Sequence, residues 1–171
     1  ILSHLDELSV SKDLIKATCF IDSSSEKKIM NILDLKNRIN TINQLKGKPN
    51  FSEIQKVISR VSKLAESGNL KTTIFSYKNY VNPDLFEKEC ENKVFVFIKE
   101  LEEIIKFNNW DYFQLFKLFE SNANNINELF DNEKGVLIMA ENPEIRNNRL
   151  NLLGLVRNYS LKIADFTLFN S

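Results

Sequence analysis

GVLIMAENPEIRNNRLNLLGLVRNYSLKIADFTLF, residues 135–169, is the stretch that decides the fold. It opens on an apolar run, Val136 to Ala140, and then gives a helix start, Asn142-Pro143-Glu144. Asparagine at the N-cap accepts from an orphan backbone N–H. Proline at the first helical position gives up only a donor that had no partner there, and Glu144 complements the positive end of the helix dipole. Beyond this start, Ile145, Leu150, Leu152, Leu153, Leu155, Val156, Leu161, Ile163 and Ala164 fall around most of the helix circumference. A helix that is apolar nearly all round is a buried one. Arg146, Arg149 and Arg157 interrupt it, and an unpaired buried charge is costly, so each must reach a partner or the solvent rim.

Outward from this segment, caps and breakers divide the rest of the chain into helices. Residues 1–10 read as the tail of an amphipathic helix and 12–20 as a short helix. Ser23-Ser24-Ser25-Glu26 is a capping-box signal that starts a helix through Leu45, stopped by Lys46-Gly47-Lys48-Pro49. Residues 51–66 carry Ile54, Val57, Ile58, Val61, Leu64 and Ala65 at helical spacing. Residues 70–82 read as a loop with Tyr77 and Tyr80. Asn82-Pro83-Asp84 repeats the Asn-cap, Pro-first signal and predicts a long helix to about Phe107, broken by Asn108-Asn109. Asp111-x-x-Gln114 opens a phenylalanine-rich helix to Glu120, and the Asn-rich 122–132 reads as a turn and a short helix. The sum is an all-α bundle of roughly six to eight helices with the C-terminal one central. Scarce glycine and proline, 4 and 3 residues in 171, disfavour a turn-rich β chain.

Composition narrows the function. Formal net charge is zero, yet residues 11–63 hold eleven basic against five acidic residues and residues 71–134 eight against twelve. A neutral total can therefore hide a basic face; ordinary solvated helix surfaces give the same counts. No apolar run is long enough to span a bilayer, and Ser3, His4, Asp6 and Glu7 break the opening segment as a signal peptide. Cys19 and Cys90 make no disulfide framework and fit a reducing cytoplasm. The lone histidine, His4, makes no metal site by itself. Neither phosphate-cradling glycine motif nor a nucleophile elbow is present. Glu100, Glu102 and Glu103 suit a solvated face better than an acid pair. The segment alone is expected to catalyse nothing and to hold no cofactor.

The run M-A-E-N-P-E-I-R-N-N-R-L-N-L-L, followed by L-K-I-A-D-F-T-L-F, closely resembles the C-terminal end of the beta subunit of the tetrameric, bacterial-type glycyl-tRNA synthetase. The segment I-S-R-V-S-K-L-A, residues 58–65, resembles the same domain. That end is a DALR-type anticodon-binding domain. Pro143-Glu144-Ile145-Arg146 stands in the motif's place and keeps its apolar third position and its arginine. The resemblance implies an excised C-terminal fragment whose partners are tRNA(Gly) and, through the whole beta subunit, the alpha subunit, with no DNA or membrane partner. It implies ATP and magnesium for the whole enzyme. Residues 48–171 would form the anticodon-binding domain, and 1–47 would be N-terminal helices extending from the subunit body. An arginyl-type DALR domain and a helical docking module without RNA contact stand as alternatives.

Single-stranded RNA is read by stacking on aromatic or arginine planes and by hydrogen bonds to base edges, while Lys and Arg hold phosphates. The residues with that chemistry are Lys56, Arg60 and Lys63, which share one helix face at i, i+4, i+7, then Arg146, Asn148 and Arg149, and Tyr77 and Tyr80. Each has a plainer reading. Arg149 can bridge buried carbonyls, Arg146 can pair with Glu141 or Glu144, and the tyrosines can cap the core with their hydroxyls outward.

Overall fold

The computed structural model describes residues 12–18, 32–107 and 110–169. Among them it contains six α-helices and no strand, as an all-α bundle requires: α1 (Lys12–Thr18), α2 (Ile32–Lys46), α3 (Phe51–Ala65), α4 (Glu89–Phe107), α5 (Tyr112–Glu128) and α6 (Pro143–Leu161). The capping box at Ser23 and Glu26, the opening residues 1–10 and the Asn108-Asn109 break lie outside the described residues.

Helix α6 is the hub, packed against both α3 and α4. Asn142 caps it as its sequence indicates, accepting from the backbone N–H of Glu144 at 2.9 Å and of Ile145 at 3.4 Å. Leu150, Leu152, Leu153, Leu155, Val156 and Tyr159 are all buried. The helix stops at Leu161, so Ile163 and Ala164 are core residues of the turn beyond it. Helix α3 runs antiparallel to α6. Gly68, just past α3, meets Leu150 in the first half of α6, while Gln55 near the start of α3 donates to the Phe169 carbonyl beyond the end of α6 at 2.9 Å. There Phe51, Phe116, Phe166 and Phe169 form a ring cluster with centroids 5.6–6.3 Å apart. Helix α1 joins this end through the Asp165 N–H, which donates to Ala17 at 2.8 Å.

Two boundaries differ from the sequence expectation. Asn82-Pro83-Asp84 caps a 3-10 turn, Pro83–Leu85, and not the long helix. Phe86 is extended, and α4 begins at Glu89. The cause is Glu91, whose carboxylate reaches back to the N–H groups of Glu87 and Lys88 at 2.8 and 3.1 Å. It supplies the returning half of a capping box, from three residues after the N-cap Lys88. The Asn-rich segment continues α5 to Glu128 where a turn was expected. Ala123 and Ile126 extend the buried stripe of Leu115, Phe116 and Phe119. The Asn122 amide is absorbed within the helix, donating to the Leu118 carbonyl. Burial on one face thus outweighs the weak helix preference of asparagine.

Candidate nucleic-acid interface

The 70–82 segment contains no α-helix, yet it is strapped along α6 by polar side chains of that helix. Arg157 donates to the Leu70 carbonyl at 2.7 Å. Asn158, fully buried, donates to the carbonyls of Lys71 at 2.8 Å and Ile74 at 2.7 Å. The Tyr159 hydroxyl donates to the Phe75 carbonyl, and burial pushes its pKa up. Asn151 donates to the Tyr80 carbonyl at 2.8 Å. Asn148 closes a two-way bridge, accepting from the Asn82 N–H at 2.7 Å and donating to its carbonyl at 2.9 Å. The polar residues of α6 therefore match a neighbouring backbone that would otherwise lack partners. Among the described residues no buried side-chain nitrogen or oxygen is left without one.

This strap sets where the candidate residues stand. Asn148 is buried and committed to Asn82. The Arg149 side chain, 3% exposed, donates to Glu91 at 2.9 Å, to Glu87 at 2.6 Å and to the Leu137 carbonyl at 3.0 Å. Burial works against its charge, but the two carboxylates hold its pKa above the ordinary arginine value. Arg146 is half-buried and donates to the Ala140 carbonyl at 3.2 Å. The Tyr77 ring packs edge-on against Phe95, with centroids 5.0 Å apart. Its backbone N–H and the Ser76 hydroxyl both donate to Glu102, so that carboxylate fastens the loop to α4.

Four of the candidates stay in solvent. Lys56, Arg60 and Lys63 are all exposed on the outer face of α3. The Arg60 guanidinium lies 4.1 Å from the centroid of the Phe130 ring, which orients it without neutralising it. Tyr80 is 39% exposed and forms the shared wall of two adjoining clefts. One, of about 330 Å³, lies between residues 79–82 and the first turns of α6 and includes Asn79, Glu144 and Asn147. The other, of about 230 Å³, runs on to Gly68 and Asn69. Asn147 and Asn151 line both. Lys63 is the member of the basic strip nearest in sequence to Gly68, which lines the second cleft.

Asn79, Asn147 and Asn151 were missed at the sequence level, although a signal was there. Asparagine weakens a helix interior, yet α6 carries Asn147, Asn148 and Asn151 within five residues. Asn79, at φ 68°, sits in the left-handed region that asparagine tolerates better than most residues. Among the described residues no three His, Cys, Asp or Glu side chains come together as a metal site, and no helix is long and apolar enough to cross a membrane.

No family model matches the chain. Known proteins do. A glycine–tRNA ligase beta subunit of Picosynechococcus sp. is 32% identical over 165 residues, covering 94% of this chain and 23% of the relative. That of Gloeothece citriformis is 30% identical over the same shares. That of Persephonella marina is 26% identical over 97% of this chain and 21% of the relative. The chain spans less than a quarter of the length of these relatives. Over almost all of its own length, the chain is homologous to one segment of the glycine–tRNA ligase beta subunit.

Proposed function

We propose that the chain is a tRNA-binding module that contributes anticodon recognition to a glycine–tRNA ligase, the attachment of glycine at the expense of ATP being carried out elsewhere in the assembly. The observation that carries this reading is the exposed strip Lys56, Arg60 and Lys63 on α3, on a chain homologous to glycine–tRNA ligase beta subunits. Lysine and arginine on one face meet phosphates and position the RNA without reading it. Tyr80, exposed at the cleft that Gly68 also lines, is the group suited to a base. Residues 48–171 form the RNA-binding part in this proposal, with the helices before them linking it to the subunit body. The remaining partner is the alpha subunit. ATP, magnesium and the ligase reaction belong to the whole enzyme, in the cytoplasm.

The test is binding to tRNA(Gly), and to the same tRNA with both anticodon C bases replaced, across a salt series. Weaker binding of the altered tRNA, with affinity falling as salt rises, is the expected result. Replacing Lys56, Arg60 and Lys63 together by alanine should lower the slope of log K against log salt by about two, since each phosphate contact on a single strand contributes about 0.7. Equal affinity for both tRNAs sinks the anticodon reading.

A second reading, a docking module, draws on Leu137 and Met139, which are 67% and 48% exposed. They are only two side chains on one loop, and scattered exposed apolar residues are normal on a soluble surface.

A further inference from the structure

The Tyr80 cleft has a build that the strip on α3 does not explain. We infer that it takes one unstacked nucleobase of single-stranded RNA, stacked on the Tyr80 ring, with a preference for a base that carries an exocyclic amino group. The inference rests on the tRNA-binding reading and names the site within it.

The ring comes first. Tyrosine on a surface usually lays its ring on the core and leaves only the hydroxyl wet. Tyr77 does the former, against Phe95. The Tyr80 side chain has no ring, cation or hydrogen-bond partner among the described residues. Its backbone, in contrast, is held from both sides. The Tyr80 N–H donates to the Tyr77 carbonyl at 3.0 Å, and its carbonyl accepts from Asn151. Two residues on, Asn148 grips both polar groups of the Asn82 backbone. A partly exposed ring with no aromatic or cationic partner, on a fixed backbone, is a preorganised stacking face, which loses little freedom when a base settles on it.

The walls come second. The α6 amides divide into two sets. Asn148 and Asn151 hold the loop. Asn147, just before them in sequence, is exposed and lines both clefts with its side chain free of hydrogen-bond partners among the described residues. An amide offers a donor and an acceptor side by side, the pairing that a base edge presents. Asn79 adds another such amide at the cleft.

Charge comes third. Neither cleft is lined by a lysine or arginine, and Glu144 is the one ionisable carboxylate or amine on their walls. A phosphate is unwelcome there and belongs on α3. A carboxylate accepts from the exocyclic amine of cytosine, whereas uracil offers only carbonyls at the corresponding positions. Glu144 therefore favours cytosine over uracil at this site.

The probe is a labelled anticodon stem–loop of tRNA(Gly), compared with the same loop carrying uracil in place of each anticodon cytosine. Tyr80→Phe should bind like the parent. Tyr80→Leu, which keeps apolar bulk but loses the ring, should bind about tenfold more weakly, in the range for loss of one stacked base, with an unchanged salt slope. Glu144→Gln should lose the cytosine preference while keeping the affinity for the uracil loop. If the parent separates the loops but Tyr80→Leu and Glu144→Gln match it in affinity and preference, the cleft inference is overturned and the tRNA-binding reading stands. If the parent binds both loops equally, that reading falls first and takes the cleft with it. Unfolding midpoints equal to the parent's show that a loss of binding is local, and Glu144→Gln, at an exposed position, keeps the test decisive should Tyr80→Leu fail to fold.

Discussion

Arg149 invites the most demanding test, because it is both a sequence-level candidate for RNA contact and a buried side chain with protein partners. Its side chain is 3% exposed and that of Glu91 is 0%. Glu91 in turn holds the N–H groups that start α4. Replacing Arg149 by methionine removes the only cation paired with Glu91 among the described residues and leaves a buried carboxylate without its counter-charge. Such a break costs about 3–5 kcal/mol. The bridge to Glu87 adds little, because that carboxylate is 57% exposed and screened. Against a domain stability of about 5–15 kcal/mol the loss is large.

The assay is urea unfolding followed by the fluorescence of Trp110, the one tryptophan in the chain, with linear extrapolation to water. Arg149→Met and Glu91→Leu should each cost roughly 3–5 kcal/mol, and the double variant no more than either alone, because apolar replacement of a buried pair is often near neutral. Arg149→Lys should fall between, since an ammonium cannot span both carboxylates as the guanidinium fork does. Two single losses under about 1 kcal/mol, or a double variant with additive losses, would refute the reasoning. While folded, Arg149→Met should keep the parent's salt slope toward tRNA; a slope lowered by about 0.7 instead makes Arg149 a phosphate contact after all.

Other expectations follow from the same geometry. Asn158→Ala orphans the carbonyls of Lys71 and Ile74 and should cost about 2–4 kcal/mol in the same unfolding assay. A Cβ on Gly154 would lie 2.9 Å from Leu70 Cδ2 and 3.1 Å from its Cβ, so Gly154→Val should lose about 1–3 kcal/mol by overpacking, read as a lowered Tm. The Asp131 carboxyl accepts from the N–H groups of Lys134 and Glu133 at 2.8 and 2.9 Å, which holds its pKa below the ordinary aspartate value. Its folded pKa is the lower one, so its contribution is present above about pH 4 and fades as pH falls through the folded value. A carboxyl titration by NMR should show that midpoint, and an Asp131 midpoint at or above the ordinary value contradicts the turn.

Helices announced themselves where a local signal and the tertiary demand agreed. Asn142-Pro143 caps α6, the pair Asp111 and Gln114 forms the capping box of α5, and the stripe of α3 is buried as its spacing requires. The errors came where a distant partner decided. The same Asn-Pro signal at 82–83 yields only a 3-10 turn, because Glu91 starts the helix later. The Asn-rich end of α5 stays helical, because Ala123 and Ile126 are buried along its length. For the interface, the spacing of Lys56, Arg60 and Lys63 was enough to put them on one exposed face. It could not separate Asn147 from Asn148, adjacent and chemically identical, of which one leaves its amide free at the cleft and the other is spent on Asn82.

That pair of asparagines also shows why the scaffold and the recognition surface are hard to alter independently. Two of the side chains that strap residues 70–82 to α6, Asn148 and Asn151, also line the cleft, and the free amide of Asn147 sits one position from Asn148. Asn148, Arg149 and Asn151 fix the loop or the start of α4, and Asn147 immediately precedes them. A one-residue shift of the α6 register turns each side chain by about 100°. In either direction it would take Asn148 and Asn151 away from the backbone groups they hold and Asn147 away from the cleft, so the strap and the cleft would fail together. Tyr80 follows the same logic through its backbone, which Asn151 holds while the ring remains partly exposed. Specific recognition of a mobile single strand needs such a fixed partner, since ordering both sides of the contact would cost conformational entropy twice. Under the cleft proposal, the buried polar network on α6 serves recognition indirectly, by keeping one ring and one amide still.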